Sequence, residues 1–582
     1  MKQHEIAAQF NVIADLLEYQ GDNPFRIRAY RRAAQNLESF SGELDTLAQA
    51  GRLKEIPGIG SDLADKITEY LASGTIHALE RLKKRIPAGV LQLLEVPGVG
   101  PKTAKLLSER LRITSLDRLE RAVKAHRLRS LPGFQAKKEE NLLKGLAIVR
   151  KGQARMHLGV ALPLAHRLLE LLKAVPGVTR VSTAGSLRRM RETIGDLDLL
   201  AASSRPARVM EALTQSPLCA RVLASGTTKS SILTPEGVQV DLRVVSPESF
   251  GAALQYFTGS KEHNVRLREL AIRQGLKVNE YGVFRLKTGR RIAGREEEDV
   301  YRALGLPWIP PELREDHGEL DAARAGRLPA LVEPNDLRGD FHIHTTWSDG
   351  SDTLEAMAKA GAARGYEYIA ICDHSRSLKV AHGMSVGRLR QQMDDIRALN
   401  ARAKRFRVLM GAEVDILTDG SMDYPDAVLA GLDFVVASIH SGFGQSEAVL
   451  TRRIITAMRN PYVTLIAHPT GRLMGQREPY PVDLGAVFKA ARDTETAMEI
   501  NAYPRRLDLS DVAARRAGDA GVMLAISTDS HSADQFETIA FGLGVARRAG
   551  LEPQGLLNCL PLARLRAWVA RKRTRVPTTR QR

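Results

Sequence analysis

Two aspartates one residue apart, Asp196 and Asp198, stand in the run AGSLRRMRETIGDLDLL, residues 184–200. Alternate residues of a strand face the same way, so the two carboxylates point together and repel unless a cation lies between them. A third acid, Asp241, is flanked by apolar residues in GVQVDLRVV. Three carboxylates on neighbouring strands can hold two divalent cations, one activating an attacking hydroxyl and the other gripping a triphosphate, which is the chemistry of phosphoryl transfer. The Gly-Ser turn and arginines of GSLRR add N–H, hydroxyl and guanidinium groups that suit phosphate oxygens.

A second set of ligand-type residues lies far downstream. DFHIHTTWSDG places His342 and His344 on one strand face with Asp349 just beyond, and AICDHS, MGAEVDI, ASIHSG, LIAHPTG and ISTDSHS follow at successive predicted strand ends. These supply His374, Glu413, His440, His468, Asp529 and His531, making nine N/O ligands without a cysteine. Such a set suits Zn²⁺, Mn²⁺ or Fe²⁺ and is enough for about three ions. Strands alternating with helices such as DTLEAMAKAGAARG indicate a parallel α/β barrel, whose sites gather at the C-terminal ends of its strands.

The elements that must carry these residues span 582 positions, too many for one core, so the chain is expected to form roughly three to five domains. With 43% hydrophobic and 26% charged residues it reads as a globular protein. No apolar run of about 18 residues could cross a bilayer, and the N-terminal MKQHEIAAQF is not a secretory signal; the expected location is cytoplasmic. Three scattered cysteines, Cys219, Cys372 and Cys559, exclude a disulfide framework and a Cys-based zinc site.

The net charge of +18 favours a polyanionic partner, and its distribution is uneven. Residues 1–82 hold 9 Lys and Arg against 12 Asp and Glu, residues 83–150 hold 16 against 6, and residues 339–570 hold 26 against 27. The last twelve residues form a basic tail. In the first 150 residues IPGIGSDLADKI, VPGVGPKTAKLL and LPGFQAKKEENLL form an internal repeat. Gly58, Gly60, Gly98 and Gly100 can bring backbone N–H groups and a helix N-terminus to a phosphate. In the third copy Gln135 replaces the second glycine, and that copy reads as structural.

These repeats resemble the helix-hairpin-helix of DNA repair proteins, which hold duplex DNA by its backbone. From about residue 5 to 315 the chain resembles a family X DNA polymerase of the DNA polymerase beta type. The resemblance implies that Asp196, Asp198 and Asp241 form the catalytic metal-binding triad for two Mg²⁺ or Mn²⁺ ions, with Asp241 activating the primer 3′-hydroxyl. It implies that Gly185, Ser186 and Arg189 contact the incoming triphosphate. In YFTGSKEHNVRLRELA, Tyr256 and Phe257 lie beside sugar and base, Gly259 permits close approach, and Asn264 and Arg268 reach the minor groove. Lys66 falls where animal members place a Schiff-base lysine acting on 5′-deoxyribose phosphate, but Asp62 replaces the family's phosphate-gripping lysine, so lyase activity is expected to be weak.

From 339 to 570 the pattern resembles the polymerase and histidinol phosphatase (PHP) domain, a distorted seven-stranded barrel with a trinuclear metal centre, and all nine of its ligand positions are present. The implied order is a lyase-like helical domain at 1–82, a fingers-type helical domain at 83–150, an α/β nucleotidyltransferase palm at 151–245, a thumb at 246–315, a linker at 316–338, the PHP domain at 339–570 and the tail at 571–582. The pairing implies a bacterial or archaeal monomeric repair polymerase that fills short gaps in primed DNA from dNTPs. With it goes a PHP 3′–5′ exonuclease to which cleavage at abasic sites is open. Two alternatives remain at this stage: a polymerase fused to a small-molecule phosphatase, and a non-catalytic DNA-end scaffold.

Overall fold

Helix Leu158–Lys173 buries Leu158, Ala161, Leu164, Ala165, Leu168 and Leu172, the three-to-four spacing that lays one face of a helix on a sheet. In the computed structural model that sheet has five strands in the order Val178–Thr183, Leu197–Ser203, Gln239–Val245, Lys229–Leu233, Arg221–Ser225. Its central pair, Leu197–Ser203 and Gln239–Val245, runs parallel, and the other neighbours are antiparallel. The described residues are 2–38, 44–56, 58–94, 96, 98–131, 134, 138–139, 142–143, 145–146, 155–403 and 405–575. They divide into two compact units, 1–154 with 475–478 and 155–474 with 479–582.

The first unit is helical, and one apolar core that includes Phe10, Leu37, Ile67, Leu107 and Leu119 runs through both expected helical segments. Both good copies of the repeat adopt the same turn. Gly58 and Gly98 take φ of 76° and 88°, and Gly60 and Gly100 are the extended N-caps of helices Ser61–Ser73 and Pro101–Leu111. Pro132, Gly133 and Gln135 of the third copy, and residues 576–582 of the tail, lie outside the described residues.

In the second unit the palm is followed by helices Phe250–Thr258 and Lys261–Arg273 and a three-stranded antiparallel sheet. Ser260 caps the second of these helices, its hydroxyl accepting from the His263 N–H at 3.2 Å. Beyond residue 338 seven parallel strands follow in chain order: Gly339–Ile343, Tyr368–Ile371, Arg407–Asp415, Phe434–Ser438, Leu465–Ile466, Ala497–Asn501 and Leu524–Ser527. A bridge between Ile343 and Ser530 nearly closes them into the expected barrel. These strands are buried almost throughout, as a barrel wrapped in helices requires. One apolar cluster continues from palm residues such as Leu168 and Val240 to barrel-side residues such as Val435 and Ile526, so palm and barrel are one body rather than beads on a linker. No described helix is long and apolar enough to cross a membrane.

Candidate active sites

Asp198 and Asp241 face each other as register partners of the parallel strand pair. The strand begins at Leu197, so Asp196 comes from the bend before it and not from the strand expected to carry both acids. Burial, then the charges of Asp196 and Asp241, push Asp198 up to about 7, and burial with Asp241 raises Asp196. Burial also acts on Asp241, yet hydrogen bonds from Ser231 and Gln239 and the charge of Lys229 hold it below its ordinary value. Gln239 Nε2 donates to Asp241 at 3.1 Å, and Lys229 Nζ lies 3.3 Å away. Two carboxylates strained toward neutrality beside a third are what a divalent cation would relieve, so the donor set fits one.

A cleft of about 380 Å³ opens beside Asp196 and Asp198, lined by Gly185, Ser186, Arg189, Tyr256, Phe257, Gly259, Asn264 and Arg268. Every residue expected to hold a nucleotide therefore meets at one place. Gly185 has φ +57°, and a β-carbon there would overlap the Asp198 carboxylate. Arg189 Nη1 donates to the Thr258 carbonyl at 2.5 Å. Asn264 donates to the Tyr256 carbonyl at 2.7 Å and accepts from Gln255 at 2.7 Å, and Arg268 Nε donates to the Asn264 carbonyl at 3.2 Å. Lys261 also lines the cleft, a residue that sequence reading passes over as an ordinary helix start. Behind the cleft, buried Glu297 accepts from Arg188 at 2.7 Å, Arg314 at 2.6 Å and Trp308 Nε1 at 2.8 Å, clasping thumb to palm.

At the C-terminal ends of the barrel strands the nine expected ligands converge. Eight fall into three overlapping groups: His344, Asp349, His374 and His531; His342, His344 and Asp529; His374, Glu413 and His440. The ninth, His468, reaches Glu413 at 3.0 Å. Glu413 thus meets His342, His374, His440 and His468 within 3.4 Å. Among the described residues, buried nitrogens of His342, His344 and His374 have no hydrogen-bond partner. His374 Nδ1 lies 2.7 Å from Glu413 without hydrogen-bond geometry. Orphaned imidazole nitrogens among carboxylates are the donor set of a borderline divalent cation, and they fit it. Burial, with His531 and His374 nearby, pushes His344 down to about 4. At His342 and His374 burial acts the same way but is outweighed by neighbouring acids, Glu413 foremost, which raise both; a cation would take the place of the protons that these acids otherwise hold on the rings. His468 and Asp529 take φ of 28° and 55°, left-handed conformations of the kind that cluster at functional sites.

Sequence reasoning missed the carboxylates behind these ligands. Glu499, fully buried, accepts from His342 Nδ1 at 2.8 Å and from the His468 N–H at 2.6 Å, and Asp415 takes His440 Nδ1 at 2.6 Å. Each fixes which ring nitrogen is left for a metal. Their only sequence signal is an acid inside a buried strand.

In the first unit the Gly60 and Gly100 caps provide no side-chain acceptor, so the N–H groups of Ser61 and Asp62 in one helix, and of Lys102 and Thr103 behind Pro101 in the other, are not capped by them and can meet an anion. Lys66 Nζ donates to Asp62 Oδ1 at 2.5 Å and to the Asp62 carbonyl at 3.1 Å, the opposition that the sequence leads one to expect.

Residues 1–76 match the helix-hairpin-helix domain, 90–147 the SAM-like helix-hairpin-helix tandem, 253–315 the DNA polymerase beta thumb and 340–478 the PHP domain. The chain is 40% identical over 573 residues to DNA polymerase/3′-5′ exonuclease PolX of Bacillus subtilis (strain 168), covering 98% of this chain and 100% of that protein. A probable phosphatase of Thermoanaerobacter sp. (strain X514) is 29% identical over 231 residues, 38% of this chain and 89% of its own length. DNA polymerase lambda of Rattus norvegicus is 27% identical over 352 residues, 53% of this chain and 56% of its own. With the Bacillus relative matched from end to end and both the thumb and the PHP models matched, the chain belongs to the family X DNA polymerases that carry a C-terminal PHP domain.

Proposed function

We propose that this chain fills short gaps in DNA by template-directed nucleotidyl transfer and shortens 3′ ends with a 3′–5′ exonuclease in its barrel, with cleavage at abasic sites as a further activity of that centre. The observation that carries the reading is the presence, in one compact unit, of two acid-lined centres with different donor sets: carboxylates beside a nucleotide-sized cleft, and histidine-rich ligands at a barrel mouth. Two Mg²⁺ or Mn²⁺ ions in the palm and about three Zn²⁺, Mn²⁺ or Fe²⁺ ions in the barrel would supply the charge that steadies phosphate oxygens and acidifies a hydroxyl or water. Asp196, Asp198 and Asp241 would hold the first set. Asp241, kept ionised by Gln239 and Lys229, is the acid placed to take the proton of the primer 3′-hydroxyl.

Ser186 and Arg189 bind the triphosphate, Tyr256 and Phe257 flank sugar and base, and Gly259 leaves room for both. Gly58, Gly60, Gly98 and Gly100 present N–H groups to the DNA backbone without reading sequence. We assign residues 1–82 and 83–150 to DNA binding, 151–245 and 246–315 to palm and thumb, and 339–570 to the phosphoesterase, acting as a monomer in the cytoplasm. The test is labelled gapped DNA with dNTPs and Mg²⁺ or Mn²⁺, followed for extension and shortening together. Both are expected, and both are lost with chelator. The likeness to a probable phosphatase favours one competing reading of the barrel: phosphate released from a small phosphomonoester, with no shortening of DNA, would establish it.

A further inference from the structure

The nucleotide cleft is braced from outside the polymerase half. Arg189 Nε donates to Glu315 Oε1 at 3.0 Å while Nη1 holds the Thr258 carbonyl, leaving Nη2 as the guanidinium nitrogen without a protein partner among the described residues. The same Glu315 oxygen accepts from Arg548 Nη1 at 2.9 Å, and that nitrogen also donates to the backbone carbonyl of Arg189 at 2.8 Å. Arg548 ends helix Ile539–Arg548 of the barrel, and its Nε is anchored on Asp511 at 2.8 Å. Arg189, Glu315 and Arg548 are all nearly buried, with side chains 12%, 9% and 6% exposed, so the chain of contacts is poorly screened by solvent.

We propose that Arg548 of the barrel is a positioning residue for polymerisation: it fixes Arg189 for the incoming triphosphate, through its backbone carbonyl and through Glu315. Three observations point the same way. Arg548 contacts both the main chain of Arg189 and the acid that orients its side chain. Without Arg548, Glu315 would keep Arg189 and, at 3.3 Å, Arg191 as its cations, and its carboxylate would compete with a triphosphate for the Arg189 guanidinium. The interface is also tight, since a β-carbon on Gly544, one turn before Arg548, would lie 2.7 Å from the Met190 methyl. A planar group that anchors Nε on Asp511 while Nη1 bridges Glu315 and the Arg189 carbonyl is what Arg supplies and Lys does not.

This inference rests on the polymerase reading above. The full-length chain with Arg548→Gln is compared with wild type for single-nucleotide insertion into gapped DNA whose primer end is phosphorothioate-protected. KM for dNTP is expected to rise about tenfold with kcat within about twofold, the range expected of direct coupling between contacting groups. Melting temperature falls, because Glu315 and Asp511 lose their shared cation, but the protein stays folded at the assay temperature and shortening of an unprotected 3′ end stays as in wild type. Arg548→Lys falls between, and Arg548→Gln combined with Glu315→Gln raises KM by less than the product of the two single effects. An unchanged KM in Arg548→Gln, or a parallel fall of kcat and shortening, overturns the inference while leaving the polymerase reading intact. A wild type that inserts no nucleotide overturns both.

Discussion

Gly185 sits so close to Asp198 that a β-carbon on it would overlap an Asp198 carboxylate oxygen, in a left-handed turn that leaves no room for a side chain. Gly185→Ala would displace Asp198, the second residue of its strand, and strain the turn that presents Ser186. Extension should fall about 100-fold, the order expected for a sub-ångström to ångström shift at a reacting centre. Shortening should be untouched, and timed assays of both reactions on one preparation check this.

Glu499 holds two barrel ligands at once, His342 by its ring and His468 by its main chain. Glu499→Gln keeps the shape but loses the charge that fixes the His342 tautomer. The metal concentration for half-maximal shortening should rise about 10- to 100-fold. Extension at saturating Mg²⁺ should not change, and metal titrations of the two activities separate the cases.

Glu297 clasps thumb to palm. Burial opposes its charge, but Arg314 and Arg188 hold its carboxyl far below the ordinary range. Its folded value lies below its unfolded one, so its contribution is complete above pH ~4.3 and is lost as pH falls further. Glu297→Gln leaves Arg314 buried and uncompensated and should cost about 3–5 kcal/mol at pH 7. The gap from wild type should narrow below pH ~4. Urea unfolding midpoints at both pH values report it.

Lys66 is bonded to Asp62, which would also repel a 5′-phosphate. Borohydride trapping on 5′-deoxyribose phosphate DNA should be weak in wild type and stronger in Asp62→Lys. Strong trapping in wild type that disappears in Lys66→Ala would show that the family pattern outweighs the local charge.

Much of both centres was legible because ligands recur at strand ends and paired acids break an apolar run. Asp196, Asp198 and Asp241, and the nine residues that converge at the barrel mouth, announce themselves by type and spacing. What stayed hidden is held by long-range packing. Glu499 and Asp415 look like any buried strand acids until His342 and His440 are seen to donate to them. Nothing local to Glu315 signals that Arg548, 233 residues away in sequence, closes on it. Nor does the stretch 316–338, expected as a linker, reveal that its own Val332 and Leu337 join the one apolar core that continues from the five-stranded sheet to the barrel, since composition marks a boundary of chain and not of packing.

The central claim is that one centre adds nucleotides and a separate one removes them. The direct measurement is a reciprocal pair of variants on labelled gapped DNA with dNTPs. Asp196→Ala with Asp198→Ala should abolish extension while DNA binding and shortening persist, and His344→Ala should abolish shortening while extension persists. Extension by the double variant at more than a small fraction of the wild-type rate, or loss of both activities in either protein while it remains folded, would contradict the account.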